Sequence, residues 1–287
     1  MSSQDIFGVV AMFYAVANLA SMGLELNLRE TIQSLRSVRV VGLTLGWSWV
    51  VGPAFAILLT QILPLSEGFA MGLLIFSLAP TAPALPMFIR MARADMSLAA
   101  AIMPMAVVGT VILMPLLAPV LIPGLTVRSW EIGKPLLLTV LLPLVIGVLI
   151  RIYAPGVAAK IFPTVKKIAG ISTLFLLIFT VAFYAREFVA ALGSFAVGAQ
   201  VLFTLGMAAV AYIFGFGLNQ PQRGAMALGV CSRNGGAMFV AITAFPVIDP
   251  DLLVMILLSV PVPAIVWAFL AKFFASQTAT TIEGGAA

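Results

Sequence analysis

Apolar residues run along this chain in long stretches separated by short polar joins. A bilayer-spanning helix needs about 20 mostly apolar residues. Nine stretches qualify: 6–26, 38–62, 67–91, 97–122, 134–153, 169–185, 196–218, 224–246 and 252–275. The joins hold the charges and turn residues, as in NLRETIQSLRSVR (27–39), APGVAAKIFPTVKK (154–167) and NQPQR (219–223). The pattern predicts an all-α membrane protein in which residues 1–275 form one polytopic domain of nine spans. The small, polar tail SQTATTIEGGAA (276–287) is expected to be disordered and cytoplasmic.

Two of the nine spans cannot be regular helices. The third reads FSLAPTAPALPMF (76–88), with Pro80, Pro83 and Pro86 three residues apart. Each proline removes an N–H donor and clashes with the preceding turn. The eighth reads LGVCSRNGGAMF (228–239), with Gly229, Gly235 and Gly236 around Ser232, Arg233 and Asn234. Freed backbone groups are tolerated at membrane depth only where protein or a water-filled cavity covers them. The two broken spans are five apart, so they run in opposite directions. Paired broken helices in that relation mark an inverted repeat whose substrate site lies where they meet. Spans 1–4 then correspond to spans 6–9, and the first repeat lacks one helix. Segments 78–87, with Thr81 among the prolines, and 229–236 are the candidate site.

Composition narrows the function. The chain is 62% hydrophobic and 9% charged, against about 25% charged for a soluble domain. It has no histidine and one cysteine, Cys231, which excludes disulfides, Cys/His metal sites and histidine-activated nucleophiles. No enzyme activity, metal or cofactor is expected. The net charge of +5 does not point to nucleic acid, because the basic residues, Arg233 apart, sit in the joins or near the ends of the spans. With the N-terminus outside, Arg29, Arg36, Arg39, Arg90, Arg93, Arg151, Lys160, Lys166, Lys167, Arg223 and Lys272 lie inside; Arg128, Lys134 and Arg186 lie outside. That bias orients the chain with its C-terminus in the cytoplasm of a bacterial inner membrane. The remaining basic residue, Arg233, lies within a span.

With those features in hand, the chain resembles the bile acid:sodium symporter family from about residue 10 to 275. ASMGLELNLRE (20–30) is similar to the family's F-G-M-G-L-x-L. GLLIFSLAPTAPALPMFIRMARADMSLAAAIM (72–103) is similar to its C-C-P-G-G-T-A-S-N … L-A-R-G-N-V-A-L-S-V-A. CSRNGGAMFVAITA (231–244) is similar to its E-V-G-M-Q-N-S-G-L-A-A-A-L-A. The resemblance implies two inverted five-helix repeats, a panel and a core, two broken helices crossing in the core, and nine-helix members that lack the first helix. It also implies what this chain has lost. The acidic sodium ligand falls on Gly229, and the Gln of the Gln-Asn pair falls on Arg233, leaving Asn234. The Ser-Asn pair of the other broken helix falls on Leu85 and Pro86. Hydroxyl ligands fall near Ala99 and Met103, and a polar ligand on the preceding helix falls near Ser48.

A guanidinium at the bilayer centre costs about 2.5–3.5 kcal/mol on insertion scales and cannot shed its proton. Within the proposed spans Asp and Glu occur only at the ends, as Glu25 and Glu67, and none lies near the middle of a span. The available partners are freed carbonyls, half-helix C-termini, Asn234 and a bound anion. Tyr14 and Asn18 form an i, i+4 polar pair that either faces a cavity or bonds a neighbouring helix. Trp47 and Trp49 are expected in the packed core, and Cys231 as a small packing residue. These residues point to a secondary transporter of a small organic anion, working by alternating access without the usual sodium ligands. Two rivals stand beside it: a sodium-coupled symporter using backbone carbonyls, and a sensor or scaffold that keeps the fold without flux. Substrate and oligomeric state are not legible in the sequence.

Overall fold

The computed structural model describes residues 3–26, 28–122, 124–191 and 193–284. They form helices α1 (Ser3–Glu25), α2 (Leu28–Leu35), α3 (Val38–Ile62), α4 (Glu67–Ser77), α5 (Leu85–Met91), α6 (Met96–Leu121) and α7 (Ser129–Tyr153). Next come α8 (Pro155–Ala191), α9 (Ala196–Ile213), α10 (Gln220–Cys231), α11 (Gly235–Ile242), α12 (Pro250–Leu258) and α13 (Pro261–Gly284). No strand occurs among the described residues. Six helical segments there are long and apolar enough to cross a membrane: Gly8–Glu25, α3, α6, α7, α9 and the joined Pro250–Thr278.

Three expectations change. The join 27–39 contains an amphipathic helix, α2, which packs on α6. The join 154–167 is the start of α8, because Pro155 suits a first helical position and no glycine pair interrupts the turns beyond it. The tail 276–284 continues α13, since that stretch has no proline and its glycine pair begins at Gly284. There the hydroxyls of Ser276 and Thr278 bond back to Phe273 O (2.7 Å) and Phe274 O (3.0 Å). Residues 285–287 of the expected tail lie outside the described residues.

Prolines shape the long helices without ending them. In α3 a π-turn, Gly46–Val51, stands just ahead of Pro53. In α7 another, Leu137–Leu141, stands just ahead of Pro143. A π-turn widens the helix by one residue, which gives room to a proline ring that would otherwise strike the turn before it.

The elements sort into two bodies. In one, α1 packs against α7 and α8. The approach of α1 to α7 is set by Gly23 and Gly147: a methyl on Gly23 would stand 2.3 Å from Leu144 O, and one on Gly147 2.7 Å from Ala20 O. Without a hydrophobic force between helices in lipid, such backbone contact is a main source of packing energy. Glu25, at the end of α1, and Lys166, within the first half of α8, form an ion pair at 3.1 Å. The other body gathers α3 to α6 and α9 to α13, with α9 on α10 and α4 on α12. The bodies meet along α1, where a methyl on Gly236 of α11 would lie 3.0 Å from Ala15 Cβ, and along α7, which packs on α6 and α11.

Candidate functional site

Helix α4 ends at Ser77 and α5 begins at Leu85; α10 ends at Cys231 and α11 begins at Gly235. The two gaps lie side by side. Pro80 and Arg233 form an isolated antiparallel bridge. Thr81 N donates to Ser232 O at 2.7 Å, and Asn234 N donates to Ala79 O at 2.8 Å. Thr81 takes a left-handed φ of 69°, a costly conformation for a β-branched residue, held here by bonds on both of its sides.

A break leaves carbonyls that the next turn would have bonded. Gly229 O is taken by Thr81 Oγ1 (2.9 Å) and Ser232 Oγ (3.2 Å). Ser232 Oγ also accepts from Ala82 N at 3.2 Å. Ser77 O, whose helical partner would have been Thr81 N, is taken by Arg233 Nη1 at 3.2 Å. Asn234 caps α11, its Oδ1 accepting from Ala237 N at 3.2 Å.

Arg233 is 2% exposed. Its guanidinium carbon lies 4.7 Å from the Phe203 ring centroid and 5.6 Å from that of Phe76. Among the described residues no Asp or Glu pairs with it, and its Nε and Nη2 have no hydrogen-bond partner. The energies decide whether this suffices. Burial of the charge costs about 3 kcal/mol. A hydrogen bond from a charged donor returns about 1.5–3 kcal/mol. A desolvated cation–π contact returns about 2 kcal/mol. Two rings and one carbonyl thus offset the cost of burying the charge, while Nε and Nη2 still lack partners among the described residues. Sequence reasoning missed Phe76 and Phe203, because nothing in a run of apolar residues says which phenylalanine faces a charge. Asn234 does not serve as the arginine's partner, since its oxygen is used as the cap.

The expected site residues divide between places. Asn18, Pro83, Arg233 and Gly235 all line one cavity of about 190 Å³ between the two bodies, with Tyr14 and Trp267. Pro86 lines another of about 160 Å³, beside Glu25 and Arg90. Ser48 is fully buried in the π-turn of α3, its hydroxyl without a partner among the described residues, and lines neither cavity. Pro80, Thr81, Gly229, Ser232, Asn234 and Gly236 form the crossing itself and its walls. A methyl on Gly229 would come within 3.0 Å of Ile102 Cγ2, so the position is packed shut toward α6.

For Asn18 the two alternatives, facing a cavity and bonding a neighbouring helix, are not exclusive. It lines the cavity, and its Nδ2 donates to Tyr14 O (2.9 Å) and Thr173 Oγ1 (3.3 Å). Trp49 is core: a methyl on Gly109 would stand 2.3 Å from its ring. Trp47 stacks on Phe216, with centroids 6.2 Å apart.

The sequence model of the Sodium Bile acid symporter family matches residues 12–191. The chain belongs to that family. It is thus an integral, multi-pass membrane protein of transporter type. None of the curated proteins compared matches it. The family match takes in the first broken helix, α4 to α5, and ends before the second, which holds Arg233.

Proposed function

We propose that the chain is a secondary transporter of a small organic anion. It works by alternating access, the body of α1, α7 and α8 acting as a panel against the body that holds the crossing. Residues 1–275 form the transport domain, as nine spans in an inverted repeat that lacks its first helix. The N-terminus faces out and the C-terminus lies in the cytoplasm, in the plasma membrane of a bacterium; the basic joins support that orientation.

One observation carries this reading. A fully buried arginine, with no acid beside it among the described residues, bonds a carbonyl freed at the crossing of two broken helices. A permanent positive charge there does two things a coupling cation would do. It ties the halves of the crossing together, and it favours a negative substrate in the adjoining cavity, one of whose walls it forms. At Gly229, Leu85 and Pro86 no side-chain oxygen is available for sodium, so coupling through those positions is not expected.

Uptake into proteoliposomes tests the proposal. Purified protein should accumulate at least one small organic anion inside the vesicles. Binding without translocation would favour the sensor. A saturable need for sodium would favour the symporter that uses backbone carbonyls.

A further inference from the structure

If the crossing binds an anion, the panel supplies a binding group of its own. Tyr14 of α1 is 6% exposed, and its ring lies edge-on against Phe239 of α11, with centroids 6.4 Å apart and planes at 75°. Asn18, one turn on, ties the same helix to α8 through Thr173. The Tyr14 hydroxyl has no hydrogen-bond partner among the described residues, and the side chain lines the 190 Å³ cavity. The hydroxyl lies close to Gly235: a methyl there would stand in van der Waals contact with Tyr14 Oη, at 3.8 Å.

Gly235 is the first residue of α11. The first N–H groups of a helix have no partner within it and carry the positive end of its dipole. The Asn234 side chain takes the N–H of Ala237, and its main-chain carbonyl takes that of Met238; those of Gly235 and Gly236 stand ahead of them, and of these two residues Gly235 lines the cavity. A phenol on the panel and a helix N-terminus on the other body thus converge on one end of the cavity. Among the described residues no Asp or Glu lines it.

We propose that Tyr14 Oη and the N-terminus of α11 jointly bind the carboxylate of the transported molecule. The carboxylate accepts from the phenol with one oxygen and from the helix N–H groups with the other. Both bodies then hold the substrate at once, beside the contact of Ala15 with Gly236, so its binding fixes their relative position. The cavity also sets a size. One of about 150 Å³ holds benzene, so 190 Å³ takes a molecule of roughly six to ten non-hydrogen atoms.

The test uses the purified full chain and isothermal calorimetry. The probes are potassium acetate, lactate, pyruvate and benzoate, with lactamide and benzamide as uncharged counterparts. The parent should bind at least one carboxylate and discriminate against its amide. Tyr14→Phe keeps the ring against Phe239 and removes only the hydroxyl. It should weaken that carboxylate roughly tenfold, narrow the preference over the amide, and leave the unliganded melting midpoint where it was. Undiminished carboxylate binding by Tyr14→Phe overturns this assignment and leaves the reading of the crossing standing. A parent that binds none of the four carboxylates overturns both.

Discussion

Helix α6 and the α4–α5 segment each contain three prolines, yet one stays a single helix and the other comes apart. In α6 the prolines are Pro104, Pro115 and Pro119, spread over four turns. Each loss is local. The carbonyl that Pro104 strips of its partner is Ala100 O, and Thr31 Oγ1 of α2 donates to it at 3.1 Å. In α4–α5 the prolines stand three apart, so successive turns lose donors and the residues between are pushed out of helical conformation. No single hydroxyl repairs that. A second broken helix is needed, with its backbone bonds to Thr81 and Asn234 and an arginine for Ser77 O. The end of α12 follows the same rule on a small scale. Ser259 N bonds Ile256 O, and Gln200 Nε2 donates to the freed Met255 O at 2.7 Å. The contrast supports the proposed site: a repair by one neighbour needs no further role, whereas a repair by a buried charge beside a cavity is what the proposed anion site would use.

The largest expected effect is at Arg233. Arg233→Ala leaves Ser77 O without its donor and opens a void between Phe76 and Phe203, while relieving the cost of the charge. We expect a net loss of about 2–4 kcal/mol in unfolding assays and no uptake. Arg233→Lys keeps the charge but not the planar fork, and should recover stability more fully than transport. Gln200→Leu should cost about 1–3 kcal/mol by leaving Met255 O bare, without changing substrate selectivity. Thr81→Val should cost about 1 kcal/mol, since Ser232 still donates to Gly229 O. The smallest effect is at Thr31. Thr31→Val should cost about 1 kcal/mol or less. Adding Pro104→Ala restores an N–H for Ala100 O, so the double variant should melt no lower than the single one. A double variant that melts well below it would undo the contrast between α6 and the crossing.

Much of this was legible in the residues. The two broken segments, the charged residue at their meeting and the 38–62 helix follow from proline, glycine and hydropathy alone. Helices α2 and the start of α8 were not, because short amphipathic or basic helical turns read as polar joins when only length and hydropathy are weighed. The partners of Arg233 were not legible either. Phe76 and Phe203 are 127 positions apart, and only the folded crossing brings their rings to one guanidinium. Tyr14 was visible as half of a polar pair with Asn18. The bond between them runs to the Tyr14 backbone carbonyl, which leaves the hydroxyl for another role.

If Arg233 stands where a coupling cation would otherwise be needed, the crossing has no use for sodium. The melting midpoint of the purified parent, titrated with sodium chloride at constant ionic strength against potassium chloride, reads this out without a known substrate. The midpoint should stay the same throughout, since the crossing already holds its charge. A saturable rise with sodium, absent with potassium, would contradict that role for Arg233.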